Sequence, residues 1–473
     1  MKHKSLLVLL TLLVQVQAVF AQGKAIITGK VINPLSNEII VATTPNPLIP
    51  EEVQNTVQLK GGSFKMEVPV NSAIVAELLH GDEVVPVYLE PGYELNLVFN
   101  GDKFLKTIKF EGKGANENNY LAMYTRRFDE VEEYQVMPDN IKLSEKEFTA
   151  FLEHRKKDQL KNLDKYTAKN PVSDKFRKFA LAEINFGYAN DKITYQSLRE
   201  SVLMTQRLQK PSEEFYTFLG HLDLNSPDNL LSYTFIIFLR NYAKYYTTEA
   251  GIKESDKSYF KTAYTIAGQK LQGQAKAVAQ AHILKQSIQL GHLKYTGEML
   301  QDFRANNKAP ELDAYFTKLY NQNKEFAIGS PAPDFQLKDT NGASVSLSDF
   351  KGKIVYLSFW STTCGLCMVE MPNLQQLTSQ LKDKEVVFVN VGLDEDEEKW
   401  KKTVTGRKLQ GVQAYLKGMD ADLVKRYNLK DIPAYFLIDE EGGFISIKPR
   451  RPTDREAAND ILKYINEAQA SVK

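Results

Sequence analysis

The sequence predicts a multidomain chain: an N-terminal β-sandwich, an all-helical middle segment and a C-terminal α/β domain. Three observations carry this reading. Short apolar stretches broken by Asn, Gly and Pro run from Lys24 to Gly112. Around Gly112-Lys113-Gly114 the apolar period changes from two to about 3.6. Beyond Ile328, strand-length apolar runs alternate with helical ones. The expected boundaries are a signal peptide over 1–21, a β-sandwich over 24–112, a helical domain over 115–325 and the α/β domain over 327–472.

The N-terminus has Lys2, His3 and Lys4, an apolar core from Leu6 to Val14, and Ala18-Val19-Phe20-Ala21. That order of charge, apolar core and small residues is a secretory signal, with cleavage expected after Ala21. The apolar core is too short to span a bilayer and is broken by Gln15 and Gln17. No cysteine follows it, so a lipidated N-terminus is not expected. The mature chain should be periplasmic, where disulfides persist.

Four strands are expected in the first domain, at Ala25–Ile32, Ser63–Val68, Val84–Leu89 and Tyr93–Phe99. His80, beside Gly81-Asp82, reads as a strand-end or turn residue. In the helical segment, Ser144-Glu145-Lys146-Glu147 is a capping-box start for a long helix. Ser226, followed by Pro227 and Asp228, is the expected N-cap of a helix containing Tyr233 to Leu239. Tyr242, Tyr245, Tyr246, Tyr259 and Tyr264 fit core packing, with an aromatic groove as the alternative.

The last domain opens at Ile328-Gly329-Ser330-Pro331-Ala332-Pro333-Asp334-Phe335. A buried strand, Ile354 to Phe359, leads into a helix whose apolar spacing runs from Met368 to Leu381. Then come a strand at Val386–Val391, a helix from Asp394 to Lys402 and a short helix at Ala421–Tyr427. A strand after Ile432-Pro433, a Glu441-Gly442-Gly443 turn, a strand at Phe444–Ile447 and a helix from Thr453 to about Ala468 complete a mixed sheet covered on both faces.

Cys364 and Cys367 are the chain's two cysteines, and they fall at the junction of that buried strand and its helix. Two intervening residues on a first helical turn bring the sulfurs close enough for a small disulfide ring. Unpaired N–H groups and the helix dipole stabilise a thiolate on Cys364, the expected attacking thiol. Cys367, one turn further in, is the expected resolving thiol. A zinc site would need further ligands, yet there is no third Cys and the last of the six histidines is His292. A structural disulfide closing so short a loop contributes little chain entropy. Redox chemistry is the reading that remains, with no cofactor and no metal expected.

These residues resemble the thioredoxin fold, and specifically the exported TlpA/ResA-type thiol-disulfide oxidoreductases. The resemblance rests on Ala332-Pro333-Asp334-Phe335, Phe359-Trp360 before the cysteines, Glu370-Met371-Pro372 after them, and Ile432-Pro433 before a Phe-Leu-Ile-Asp strand. It covers roughly residues 327 to 472. The arrangement of β domain, helical segment and redox domain is similar to TlpA-like reductases of Bacteroidetes-type bacteria. The resemblance implies that Cys364 is the nucleophile, Cys367 the resolving thiol and Glu370 the acidic residue tuning them, where a plain helix carboxylate would be solvated. It implies substrate contacts at Trp360, Ile432 and Pro433, with Pro433 cis and the Ile432 backbone free to pair with an extended segment. Pro372 should kink the helix. Thr363 and Leu366 stand where many relatives carry Trp and Pro, which leaves reduction potential and partner preference open.

With 60 Lys+Arg against 59 Asp+Glu, the formal charge of +1 gives no global field favouring nucleic acid or an anionic membrane. The expected partners are client proteins with disulfides and a membrane thiol electron donor. Two other functions stay open. Ser361, three residues before Cys364, resembles the peroxiredoxin hydroxyl–cysteine pattern and suggests a thiol peroxidase. The first two domains could instead be a partner-binding module with an accessory redox domain.

Overall fold

The computed structural model describes residues 23–203, 208–419 and 421–471. The expected signal peptide lies outside the described residues. The chain divides into two compact units. Of the described residues, one takes those up to Pro45 with Glu51–Gln135 and Arg155–Ile184; the other takes Asn46–Pro50, Val136–His154 and those from Asn185 on.

In the first unit, β1 (Lys24–Ile32), β2 (Glu38–Thr43), β3 (Val53–Gln58), β4 (Ser63–Pro69), β5 (Ile74–His80), β6 (Glu83–Leu89), β7 (Glu94–Asn100) and β8 (Lys109–Lys113) form a β-sandwich of two four-stranded sheets. Their orders are β4-β1-β7-β8 and β3-β2-β5-β6. Period-two burial is plainest in β4 and β7, where inward Phe64, Met66, Val68, Leu95, Leu97 and Phe99 alternate with exposed residues. A short helix, α1 (Phe104–Thr107), precedes β8. His80 ends β5 fully buried, its Nε2 accepting from Leu35 N–H at 3.1 Å, so its role is structural.

The change from strand to helix falls between Lys113 and Ala115, where α2 (Ala115–Tyr124) starts behind Gly114 at φ +96°. Consecutive asparagines on α2 each satisfy an edge strand. Asn118 bonds both the N–H and C=O of Tyr88 in β6 (2.8 and 2.9 Å), and Asn119 does the same for Phe110 in β8 (3.0 and 2.8 Å). The two sheet edges are thereby capped at those residues without another strand.

The remaining helices are α3 (Pro138–Ile141), α4 (Glu145–Thr167), α5 (Asp174–Leu203), α6 (Tyr233–Glu249), α7 (Tyr259–Lys270), α8 (Gly273–Gln289), α9 (Thr296–Asn306) and α10 (Pro310–Asn323). The capping box before α4 forms, with Ser144 N–H on Glu147 at 3.1 Å and Glu147 N–H on Ser144 Oγ at 3.4 Å. The start expected at Ser226 is a separate 3-10 turn, Pro227–Leu231. α6 instead begins behind Ser232, which is fully buried and accepts from Phe235 N–H at 2.9 Å. A second Ser three residues before an apolar run outcompetes the first because its cap is buried. Tyr242, Tyr259 and Tyr264 are core residues, 5–7 % exposed, and half-buried Tyr246 packs edge-on against Tyr242 and Tyr245.

The C-terminal elements are β9 (Gln336–Asp339), β10 (Ser344–Ser346), β11 (Ile354–Trp360), α11 (Gly365–Gln380), β12 (Val386–Gly392), α12 (Glu397–Arg407), β13 (Val412–Tyr415), α13 (Asp422–Arg426), β14 (Ala434–Ile438), β15 (Phe444–Ser446) and α14 (Ala457–Ser471). They build a seven-stranded mixed sheet in the order β10-β9-β13-β12-β11-β14-β15, parallel at β11/β12/β13 and antiparallel elsewhere. All seven residues of β11 are buried, as a central strand covered on both faces requires. Val355, Leu357 and Phe359 pack on one face with Val389, Val391 and Phe436. Ile354, Tyr356 and Trp360 pack on the other with α11, α14 and Trp400.

Two helix starts differ from expectation. α12 begins at Glu397 behind Asp396, whose carboxylate takes Lys399 N–H at 3.0 Å, so Asp394 lies in the loop ahead of it. α14 begins at Ala457, leaving Thr453 in a turn. Strands β9 and β13 are only four residues long and half-buried, too short for a periodic signal.

Candidate active site

β11 ends at Trp360 and hands the chain through Ser361-Thr362-Thr363 to Cys364, the N-cap of α11. Cys364 has extended backbone (φ −86°, ψ 108°), and its Sγ accepts the Cys367 N–H at 3.0 Å. An unpaired helix N–H aimed at sulfur is the contact that stabilises a thiolate. The cysteines form a disulfide with Cα atoms 5.2 Å apart. Cys364 is half-buried, whereas Cys367 is 2 % exposed and packed with Trp360, Met371 and Leu374. An incoming sulfur can therefore reach Cys364 and not Cys367. Between and beside them, Leu366 and Val369 are exposed, at 46 % and 63 %.

The Ile432–Pro433 bond is cis, and the Ile432 carbonyl oxygen lies 3.5 Å from Cys364 Sγ. The segment before β14 is thus brought against the disulfide across 68 residues of sequence. Trp360 is not brought to the surface. It is 2 % exposed beneath the helix, because the last β11 residue points into the same core layer as Tyr356, so it has no face to offer a substrate. α11 continues through Pro372 to Gln380.

Glu370 is 3 % exposed, not a solvated helix carboxylate. Its two oxygens accept from Thr453 N–H at 3.1 Å and Thr453 Oγ1 at 2.9 Å, tying α11 to the turn ahead of α14. Burial pushes the Tyr435 phenol well above its ordinary range, and the adjacent Glu370 charge adds to it. Ser361 Oγ donates to Asp394 at 3.0 Å and accepts from Thr363 N–H at 3.2 Å, so the hydroxyl that suggests a peroxidase is engaged within the loop.

Asp394 is the residue that sequence reasoning missed. It heads the acidic run Asp394-Glu395-Asp396-Glu397-Glu398, which reads as an exposed helix start. The available signal was its place just past the carboxyl end of a buried parallel strand, where functional loops of α/β sheets gather. Tyr415 in β13 donates to its carbonyl at 2.9 Å.

A mixed sheet with a Cys-x-x-Cys disulfide at a helix N-cap, faced by a cis-proline loop, defines a thioredoxin-fold dithiol–disulfide exchange domain. The Redoxin family matches residues 327–462. Over 151 residues the chain is 37 % identical to the thiol-disulfide oxidoreductase ResA of Bacillus thuringiensis subsp. konkukian, spanning 32 % of this chain and 83 % of that protein. A Bacillus cereus ResA is 35 % identical over the same shares. The thioredoxin domain of a Bacteroides vulgatus thiol-disulfide oxidoreductase is 36 % identical, covering 29 % of this chain and 98 % of that one, with a TM-score of 0.27. The chain belongs to the ResA-type family of thiol-disulfide oxidoreductases, and its activity is disulfide oxidoreduction.

Proposed function

We propose that the protein is an exported dithiol reductase of client-protein disulfides, with 327–472 as its redox domain and 24–112 and 115–325 as separate domains. The observation that carries this is the unequal pair: a reachable Cys364 holding a helix N–H, and a shielded Cys367 beside it. The Cys364 thiolate attacks one sulfur of a client disulfide; a Cys364–client bond forms and the client's other sulfur leaves as a thiolate that takes up a proton. Cys367 then loses its proton and attacks Cys364. The mixed disulfide breaks, the client leaves with both thiols reduced, and the Cys364–Cys367 disulfide remains. A thiol donor must reduce it again, and a membrane donor fits export through residues 1–21.

Exposed Leu366 and Val369, the Ile432 carbonyl and Pro433 give an extended client apolar contact and a backbone acceptor beside the sulfur. Glu370 is assigned the proton-handling and thiol-tuning role, through the protein interior rather than solvent. The test is a single turnover: pre-reduced protein is mixed with a disulfide-bonded polypeptide and quenched in acid. One client disulfide should be lost for each Cys364–Cys367 pair oxidised. Oxidation by peroxide alone, with the polypeptide untouched, would overturn the reading.

A further inference from the structure

Ser361-Thr362-Thr363, the loop that delivers Cys364 to the helix, has no apolar anchor of its own. It is held from one point. The Asp394 carboxylate accepts from Ser361 Oγ at 3.0 Å, from Thr362 N–H at 3.0 and 3.1 Å, and from Thr362 Oγ1. Ser361 Oγ passes the constraint on to Thr363 Oγ1 (3.0 Å) and Thr363 N–H (3.2 Å), and its carbonyl takes the Cys364 N–H at 3.2 Å. Asp394 is 3 % exposed and makes no ion pair among the described residues. A buried carboxylate held only by neutral donors keeps most of its field.

We propose that Asp394 is a positioning residue for the exchange reaction: it clamps the loop that sets Cys364 at the N-cap, and its charge opposes ionisation of that thiol. The two effects work against each other on the same sulfur. The N-cap N–H groups favour the thiolate, and a fixed anion held on Thr362, two residues before Cys364, disfavours it, leaving a thiol that ionises less and attacks harder once ionised.

Other charges face the same region. Glu395, Asp396 and Glu397 join Asp394 around the Tyr415 phenol. Glu370 lies on the buried side of α11. Lys399, Lys402 and Arg407, with Asp396 and Glu398, line a shallow cleft with Thr362 and Met368. Arg451 acts on Tyr435. The cleft charges are exposed and screened by solvent and salt, whereas Asp394 is not.

This rests on Cys364 being the attacking thiol, and the test separates the two ideas. In the full chain carrying Cys367→Ala, the rate of attack on a neutral aromatic disulfide is followed against pH, with and without Asp394→Asn. Asn keeps an acceptor for the loop and removes the charge. The apparent thiol pKa should fall by about one unit. With a Brønsted slope of ~0.4–0.5, the rate should rise about threefold at low pH and fall about threefold on the high-pH plateau, so the two profiles cross. Thr362→Val, which removes one hydrogen bond and leaves the charge, should give no crossing.

An unchanged or raised pKa in Asp394→Asn would reduce Asp394 to a structural clamp and overturn the proposal. If that variant does not fold, the carboxyl-carbon NMR shift of Asp394 in the Cys367→Ala protein decides the matter. It should move as Cys364 titrates and stay flat in the same protein carrying Cys364→Ser; no movement in either overturns the proposal. Attack that persists with Cys364→Ser in an otherwise native chain would instead refute the exchange mechanism itself.

Discussion

His282 fastens the Asn46–Pro50 turn to α8 as a largely buried neutral imidazole, and charging it in acid should cost stability. The imidazole bonds the Pro47 backbone, and Lys285, one turn along, donates to the Pro50 carbonyl. Burial, then the positive charges of Arg240 and Lys285, hold the His282 pKa down to about 4, against 6.5 for the free side chain. Because the folded value is the lower one, the contribution to stability is fully present above 6.5 and is lost as the pH falls through 4. At about 1.4 kcal/mol per pH unit, the loss is about 1.4 kcal/mol at pH 5.5 and approaches about 3 kcal/mol near pH 4, less whatever partial solvation screens. His282→Gln keeps a donor for Pro47 and does not titrate. Urea unfolding followed by far-UV circular dichroism at pH 7.5, 5.5 and 4 should show the wild type losing about 2–3 kcal/mol more than the variant across that range. Parallel losses in the two proteins would refute the reasoning.

Three further outcomes follow from packing and capping. Leu357→Ala, at a fully buried position in the middle of β11, should cost about 2–5 kcal/mol; Trp360 and Trp400 fluorescence report the transition, and a loss under about 1 kcal/mol would contradict the core assignment. Ser232→Ala should cost about 1–2 kcal/mol and Ser226→Ala a few tenths at most, as thermal unfolding of the two variants side by side would show. Gly392→Ala places a Cβ against the Trp400 indole, inside contact distance, so it should destabilise by about 1–3 kcal/mol and shift the Trp emission, which an unchanged spectrum would contradict.

What the sequence made legible was whatever has a local cause. β11 is a strand because it is an unbroken β-branched and aromatic run, and Cys364 is an N-cap because that run stops four residues earlier. The Ser144 capping box is complete within four residues, and it formed. The parts that stayed hidden depend on partners distant in sequence. Asp394 looks like one of five solvated acids until the loop folds back on it from 32 residues away. Glu370 cannot be told from a surface carboxylate without Thr453, 83 residues on. Asn118 and Asn119 look like polar helix residues, and their strand-capping work needs two sheet edges to be present. The burial of Trp360 was hidden too, because its neighbourhood in sequence is that of the cysteine pair while its side chain packs in the core.

The most direct test of the exchange mechanism is mixed-disulfide trapping with Cys367→Ala, which leaves Cys364 unable to release what it attacks. Extract adducts are separated without reductant and identified by mass spectrometry. The mechanism predicts discrete protein adducts, each joined through Cys364, and none when Cys364→Ala replaces or joins the first substitution. Adducts that persist without Cys364, or a protein that cycles with dithiothreitol yet captures no client, would contradict it.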